Sequence, residues 1–158
     1  RQRLGDGRRY GLDILYSEEL EALETAGGIL QAMPLLDTEF MVVNADVYTD
    51  YNFANLVGVD SDAHLVLVPN PLQHPDGDFA LEGNRLRNQG EVKYTFSGVA
   101  KYQKRFFNGL VSGKQALAPW LREAAQENRV TAEVYQGQWH DIGTIERLEQ
   151  LRAVVFQR

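Results

Sequence analysis

Short apolar runs, each closed by a polar or glycine-rich stretch, recur along this chain. Phe40, Met41, Val42 and Val43 are apolar in succession, which predicts a buried strand over 40–43, too short for a surface helix. A second run over 64–68 ends at Pro69, and alternation in "LDILY" predicts a strand over 12–16. "GDFALEGNRLR" reads as a hairpin turning at Glu82, Gly83 and Asn84. "VKYTFSGVAKY" reads as a longer strand, and "VTAEVYQGQWHDIG" as a strand ending in a polar loop.

Other segments carry helical spacing. Leu117, Trp120, Leu121 and Ala124 follow i, i+3, i+4, i+7 and make the clearest amphipathic helix, with Trp120 in the core. Ile29, Leu30 and Met33 predict a helix behind "ETAGG" with Thr25 as N-cap. Thr144 is expected to cap the last helix, with Ile145, Leu148 and Leu151 facing inward. "DYNFANLV" suits a short helix capped by Asp50. Strand and helix alternate, with a hairpin inserted past the middle. The expected fold class is therefore α/β, a mixed and mostly parallel sheet flanked by helices. Ligands of open α/β sheets sit outside the carboxyl ends of the strands, so chemistry is sought just after the apolar runs.

Composition narrows the field. The 158 residues suit one domain, and 44% hydrophobic with 24% charged residues is an ordinary globular mix. The net charge of −6 and the scattered basic residues argue against a nucleic-acid partner. No apolar run approaches the ~20 residues of a membrane span. There is no cysteine, which excludes disulfides and thiolate zinc sites and is compatible with a cytoplasmic location. The chain opens "RQRLGDGRRYG", without an initiator Met, as if cut from a longer chain. Nothing points to an obligatory protein partner.

Two aspartates sit where ligands are expected. Asp46 follows the run 40–43, and Asp141 follows the strand that ends near Trp139. If their strands are neighbours, both carboxylates face one crevice. Bare carboxylates ~4 Å apart repel by ~4 kcal/mol at an effective dielectric of ~20, so such a pair takes up a proton, spreads or holds a cation. Few carboxylates plus bound phosphates is the usual magnesium arrangement. The plain alternative is a pair of solvated turn or capping residues. "LETAGG" lets a ligand approach the backbone at a helix N-terminus, or is simply a tight loop into a buried helix. "GLVSGKQ" departs from a phosphate-binding loop in spacing, and Gln115 stands where Ser or Thr would ligate magnesium. His64 is expected at a strand edge, and His74 in a loop.

"LGDGRRYGLDILYSEE", "LETAGGILQAMPLL", "VVNADVYTDYNF", "TFSGV" and "WHDIGTIERL", in this order and spacing, resemble the sugar-1-phosphate nucleotidyltransferase family almost end to end. The resemblance implies a Rossmann-like fold over a single domain, 1–158, and transfer of a nucleoside monophosphate from a nucleoside triphosphate to a sugar 1-phosphate with release of pyrophosphate. It is nearest to members that transfer UMP from UTP to N-acetylmuramate 1-phosphate in cell-wall recycling. Thymidylyl or guanylyl transfer to glucose or mannose 1-phosphate is the alternative within the family, and a non-catalytic sugar-nucleotide binding domain the alternative outside it. By the same resemblance Asp46 and Asp141 hold Mg2+ and are catalytic. Glu24, Thr25, Gly27 and Gly28 approach the nucleotide. Asn44 and Asp78 contact the sugar phosphate, while Thr95, Ser97 and Gly98 line the sugar side. Two family features are missing: the "G-x-G-x-R" loop on the first strand and the Lys-Pro after it. Ala45 stands where the family usually has Gly. By analogy with βαβ construction roughly 60 residues are expected in front, and this chain by itself is expected to be inactive.

Overall fold

The computed structural model describes residues 2–155. Its strands are β1 (Glu39–Val43), β2 (Val47–Thr49), β3 (Ala63–Val68), β4 (Phe79–Glu82), β5 (Arg85–Arg87), β6 (Lys93–Gln103), β7 (Val130–Val134) and β8 (Trp139–Asp141). Its α-helices are α1 (Glu24–Ala32), α2 (Leu117–Gln126) and α3 (Ile145–Val155). No helix among the described residues is long and apolar enough to cross a membrane.

The main sheet has the order β1-β6-β3-β7-β5-β4, and β4 also pairs with β6. β2 and β8 form a separate two-stranded ribbon. The fold is α/β with a mixed sheet, but its parallel share is smaller than the sequence suggests. β3 and β7 pair in parallel and the remaining pairs are antiparallel. The reason is β6. It runs against both β1 and β3, so β1, β3 and β7 still point one way and their carboxyl ends share one edge. The amino-terminal half of β6 reaches the same edge.

The core lies where apolar stripes meet. All six residues of β3 are buried, and Leu117, Leu121, Ala124 and Ala125 of α2 join Leu65, Leu67, Tyr102 and Phe106. Ile29 and Ala26 of α1 close the same core. The hairpin turns at Gly83 and Asn84 between Glu82 and Arg85, as expected, with Gly83 in the left-handed region at φ 60°.

Several expectations need correction. Residues 12–16 form no strand among the described residues: Leu12 N and Ile14 N bond back to Gly7 O and Asp6 O in the preceding turn rather than to a second strand, and Leu12 and Leu15 are 59% and 68% exposed. Thr25 does not cap α1; Leu23 holds that position. The segment after Asp50 is a 3-10 helix, Phe53–Leu56, capped by Asn52, whose Oδ1 accepts from Ala54 N at 3.1 Å. Asp50 instead accepts from Gln138 N at 2.8 Å and from the Tyr135 hydroxyl, and these bonds hold its pKa below the usual carboxylate value. His64 is not at an edge: β3 has a partner on each side, and His64 is buried against Thr131, with Nδ1 2.7 Å from Oγ1. Ile145 is 75% exposed, so α3 packs chiefly through Leu151. Trp120 is half-buried and donates to Phe106 O at 2.9 Å. Thr144 does cap α3, accepting from Arg147 N at 3.3 Å.

Candidate active site

The apolar run of β1 ends in a turn rather than in a longer strand. Val47 N donates to Asn44 O at 3.3 Å, which sets Ala45 and Asp46 at the turn and starts β2. β2 then pairs with β8, placing Val47 opposite Asp141, and Ile142 N donates to Asp46 O at 2.8 Å. The two aspartates therefore become neighbours through a three-residue ribbon. A Cβ added at Gly143 would fall 2.9 Å from Asp46 Oδ2 and 3.1 Å from Asp141 Oδ1. Both carboxylates thus flank one small space that the missing side chain leaves open.

Asp141 is already engaged. Oδ1 accepts from Gly143 N at 2.9 Å, and Oδ2 is paired with Arg147 Nη1 on α3. The Asp46 side chain takes no hydrogen bond among the described residues. Two hard oxygen donors beside that space suit a divalent cation whose other ligands come from phosphates and water. No group of three or more His, Asp or Glu converges among the described residues, so this is no all-protein cage. The donor set therefore fits magnesium shared with a substrate.

The second half of the site is built on an irregularity in β6. The β3 register jumps from Val66 opposite Val99 to Leu67 opposite Phe96, leaving Ser97 and Gly98 bulged out. Gly98 lies at φ 78°, and a Cβ there would strike Asn44 Nδ2 at 2.7 Å. Asn44 N donates to Gly98 O at 2.9 Å, Trp139 Nε1 donates to Ser97 O at 2.9 Å, and Ser97 Oγ accepts from Val99 N at 3.1 Å. The bulge thus ties the end of β1 to the start of β8. Thr95, one turn of the pleat earlier, donates to Asn70 Oδ1 at 3.0 Å.

A cavity of about 220 Å³ brings together Asn44, Asp46, Thr95, Ser97, Gly98 and Asp141. A second cavity of about 420 Å³ contains Glu24, Thr25, Asn44 and Asp78, so Asn44 stands at the junction of the two. Asp78 accepts from Phe96 N at 2.8 Å, and its Oδ1 lies 3.1 Å from His74 Nε2. A carboxyl group held this way offers acceptor oxygens that suit a sugar hydroxyl better than a phosphate.

The "LETAGG" loop behaves differently from an open phosphate cradle. Ala26 N and Gly27 N both donate to Gln115 O, at 3.0 and 3.2 Å, and Gln115 N donates to Leu23 O at 2.9 Å. Gly27 is buried, and a side chain there would run into Gly113 O. Gly28 faces the Glu19 carboxylate and lines an open groove along β1. The glycines thus admit a neighbouring loop, and Thr25 and Glu24 are the residues of this turn that reach the 420 Å³ cavity. Glu24 sits at φ 59°, unusual for a non-glycine residue, and its Oε1 lies 3.6 Å from Lys114 Nζ.

Arg122, Arg147 and Trp139 line the cavities of this site, and Lys114 lies beside Glu24; sequence reading gives none of the four a role. "GLVSGKQ" fails as a phosphate loop, yet it delivers Lys114 to Glu24. The signal for Arg147 is its place in the first turn of the helix that follows "WHDIG".

No family model matches the chain. It is 45% identical over 163 residues to the N-acetylmuramate alpha-1-phosphate uridylyltransferase of Neisseria meningitidis serogroup B, covering 96% of this chain and 71% of that one. It is 29% identical to the mannose-1-phosphate guanyltransferase beta-B of Xenopus laevis, spanning 86% of this chain but 42% of that relative. Among solved structures, a Bacillus anthracis protein described as a glucose-1-phosphate thymidylyltransferase superposes with a TM-score of 0.78 at 16% identity, over 97% of this chain and 69% of that one. HddC from Yersinia pseudotuberculosis, complexed with GMP-PN, superposes at 0.66 with 19% identity, over 84% of this chain and 62% of that one.

Proposed function

Because the chain belongs to the sugar-1-phosphate nucleotidyltransferase family, we propose that it transfers UMP from UTP to N-acetylmuramate 1-phosphate and releases pyrophosphate, as a step in recycling cell-wall sugar. The observation that carries this reading is the 45% identity with the Neisseria uridylyltransferase across 96% of the chain.

In the proposed reaction a phosphate oxygen of the sugar 1-phosphate bonds to the α-phosphorus of UTP. The bond from that phosphorus to the α,β-bridging oxygen breaks, and pyrophosphate departs in line. Little covalent chemistry falls to the protein, so position and charge decide the rate. Asp46 and Asp141 are the proposed magnesium ligands. When bound, the ion neutralises charge between two phosphates that otherwise repel. Arg147, paired with Asp141 Oδ2, holds that carboxylate beside the shared space. Asn44 and the Ser97–Gly98 bulge are the proposed seat of the sugar phosphate and sugar ring, with Thr95 beside them and Asp78 accepting from a hydroxyl. Glu24 and Thr25, with Gly27 and Gly28 behind them, form the proposed nucleotide side.

The test is a matrix of nucleoside triphosphates against sugar 1-phosphates, assayed by pyrophosphate release in the full-length protein. UTP with N-acetylmuramate 1-phosphate is expected to lead every other pair in kcat/KM, and a chelator is expected to abolish turnover. A preference for GTP with mannose 1-phosphate, or for dTTP with glucose 1-phosphate, would refute the substrate assignment. Turnover that survives chelation would refute the metal role of Asp46 and Asp141.

A further inference from the structure

Two cavities beside the proposed reaction site hold an arginine, and the two arginines differ. Arg147 is committed to Asp141. Arg122, on α2, lines the 420 Å³ cavity and makes no ion pair among the described residues. Its guanidinium carbon lies 5.0 Å from the centre of the Phe79 ring. Its one side-chain hydrogen bond is a long one, Nη1 donating to Asp78 O at 3.4 Å. Its backbone is anchored by Asn88 Nδ2, which donates to Arg122 O at 2.8 Å.

The carboxylates of the same cavity are occupied elsewhere. Glu24 faces Lys114, and Asp78 faces Phe96 N and His74. Among the described residues, Arg122 is therefore the charge on this wall without an ion-pair partner. A guanidinium carries five N–H donors in a fixed fork that matches a carboxylate, and an aromatic face beneath it reduces the freedom lost on binding. The rest of the wall is apolar: Phe79, Phe96, Leu117 and Leu121. Arg122 itself is exposed at the rim of this wall, and the apolar surface beside it lowers the local dielectric for a charge–charge contact made there. The wall also accepts methyl groups. Asn44 joins this cavity to the one holding Asp46 and Asp141. A sugar whose phosphate sits at the aspartates can therefore extend its ring substituents toward Arg122.

We propose that Arg122 is a specificity-determining residue that reads a carboxylate on the sugar, so that this cavity selects acidic N-acetylhexosamine 1-phosphates over neutral ones. A carboxyethyl ether, one methyl and one carboxylate on a short stem, matches the apolar wall and the Arg122 guanidinium together. The inference rests on the uridylyltransferase reading, because N-acetylmuramate carries that ether and N-acetylglucosamine does not.

The experiment compares kcat/KM for N-acetylmuramate 1-phosphate and N-acetylglucosamine 1-phosphate in the full-length protein, in Arg122→Met and in Arg122→Lys. Losing a charged hydrogen bond to a carboxylate costs about 10- to 100-fold in affinity. The acidic-over-neutral ratio is expected to fall by about that factor in Arg122→Met and by less in Arg122→Lys. The ratio is taken within each variant, so partial unfolding does not mimic the result. KM for UTP, measured in parallel, separates sugar reading from a contact with the nucleotide phosphates. An unchanged ratio, with both sugars weakened alike or neither weakened, overturns the proposal, as does a rise confined to the UTP KM. Wild-type protein that uses neither sugar phosphate overturns the functional reading first, and this inference with it. Wild-type protein that uses both sugars equally overturns the inference alone.

Discussion

β1 and β3 look alike in sequence and differ in the fold. Each is a short apolar run, "EFMVV" and "AHLVLV", and each ends at the edge where ligands are expected. β3 lies between β6 and β7, and every one of its residues is buried. β1 pairs with β6 alone among the described residues, and Met41 and Val43 are 40% and 45% exposed. A groove of about 650 Å³ runs along it, lined by Met41, Val42 and Val43 on one side and Gly28 and Ile29 of α1 on the other. Apolar pattern sets what a strand can bury; its neighbours set what it does bury. Buried surface is greater along β3 than along β1, so β3 is expected to carry more of the stability, while β1 contributes by where it ends, delivering Asn44 and Asp46.

The largest effect that could break this contrast is a cavity in the better-buried strand. Leu65 is fully buried among α2 and β6 residues. Leu65→Ala is expected to cost about 2–5 kcal/mol, read as a fall in the urea midpoint. Val43→Ala on β1 is expected to cost under ~1 kcal/mol, because much of its surface already meets solvent. Similar losses for the two would mean that β1 is covered in solution, and the division between a stabilising and a delivering strand would fail.

Gly98→Ala probes the delivering end at intermediate size. The new residue must hold φ 78° and its Cβ meets Asn44 Nδ2 at 2.7 Å. Strain of that kind costs about 1–3 kcal/mol. The displaced Asn44 is expected to raise the sugar 1-phosphate KM by about tenfold, roughly 1.4 kcal/mol of lost binding. An unchanged KM with a lowered melting temperature would reduce the bulge to a purely structural feature.

What is legible in the sequence divides along the same line. β3, α2 and the Gly83 hairpin announce themselves through local signals: a continuous apolar run, a stripe at helical spacing and a glycine turn. Asp46 and Asp141 can be singled out from their place after apolar runs, and the structure brings them together. Their meeting depends on β2 and β8, three residues each, which pair across a long stretch of chain and carry no periodic signal of their own. The Ser97–Gly98 bulge is likewise invisible locally, since "TFSGVAKY" reads as one strand. Residues 12–16 mislead for the converse reason: alternation is present, but among the described residues no second strand runs beside it. Arg122 escapes notice because a cation on an amphipathic helix reads as a solvated face until Phe79 and the cavity appear beneath it.

The smallest expected effect concerns the one histidine inside the stable strand. Burial pushes the His64 pKa below its ordinary 6.5; the Glu133 carboxylate opposes that shift and Lys101 adds to it. The folded chain therefore holds a neutral imidazole while the unfolded chain takes up a proton near 6.5. Above that pH the group adds no pH dependence. Below it the unfolded state binds more protons, so stability falls as pH drops, levelling only beneath the folded-state pKa. One proton limits the slope to about 1.4 kcal/mol per pH unit. Urea titrations between pH 7.5 and pH 5, about one unit above the ordinary value to below it, are expected to show this decline. His64→Gln keeps a donor and an acceptor for Thr131 and is expected to flatten it. Asp62 supplies the control. Burial raises its pKa, but Arg105 and Arg129 outweigh burial and hold it below 3.8, so its acid loss falls in a lower window. A slope between pH 7.5 and 5 that survives in His64→Gln would show that burial in β3 does not set this titration, and the contrast with β1 would then rest on packing alone.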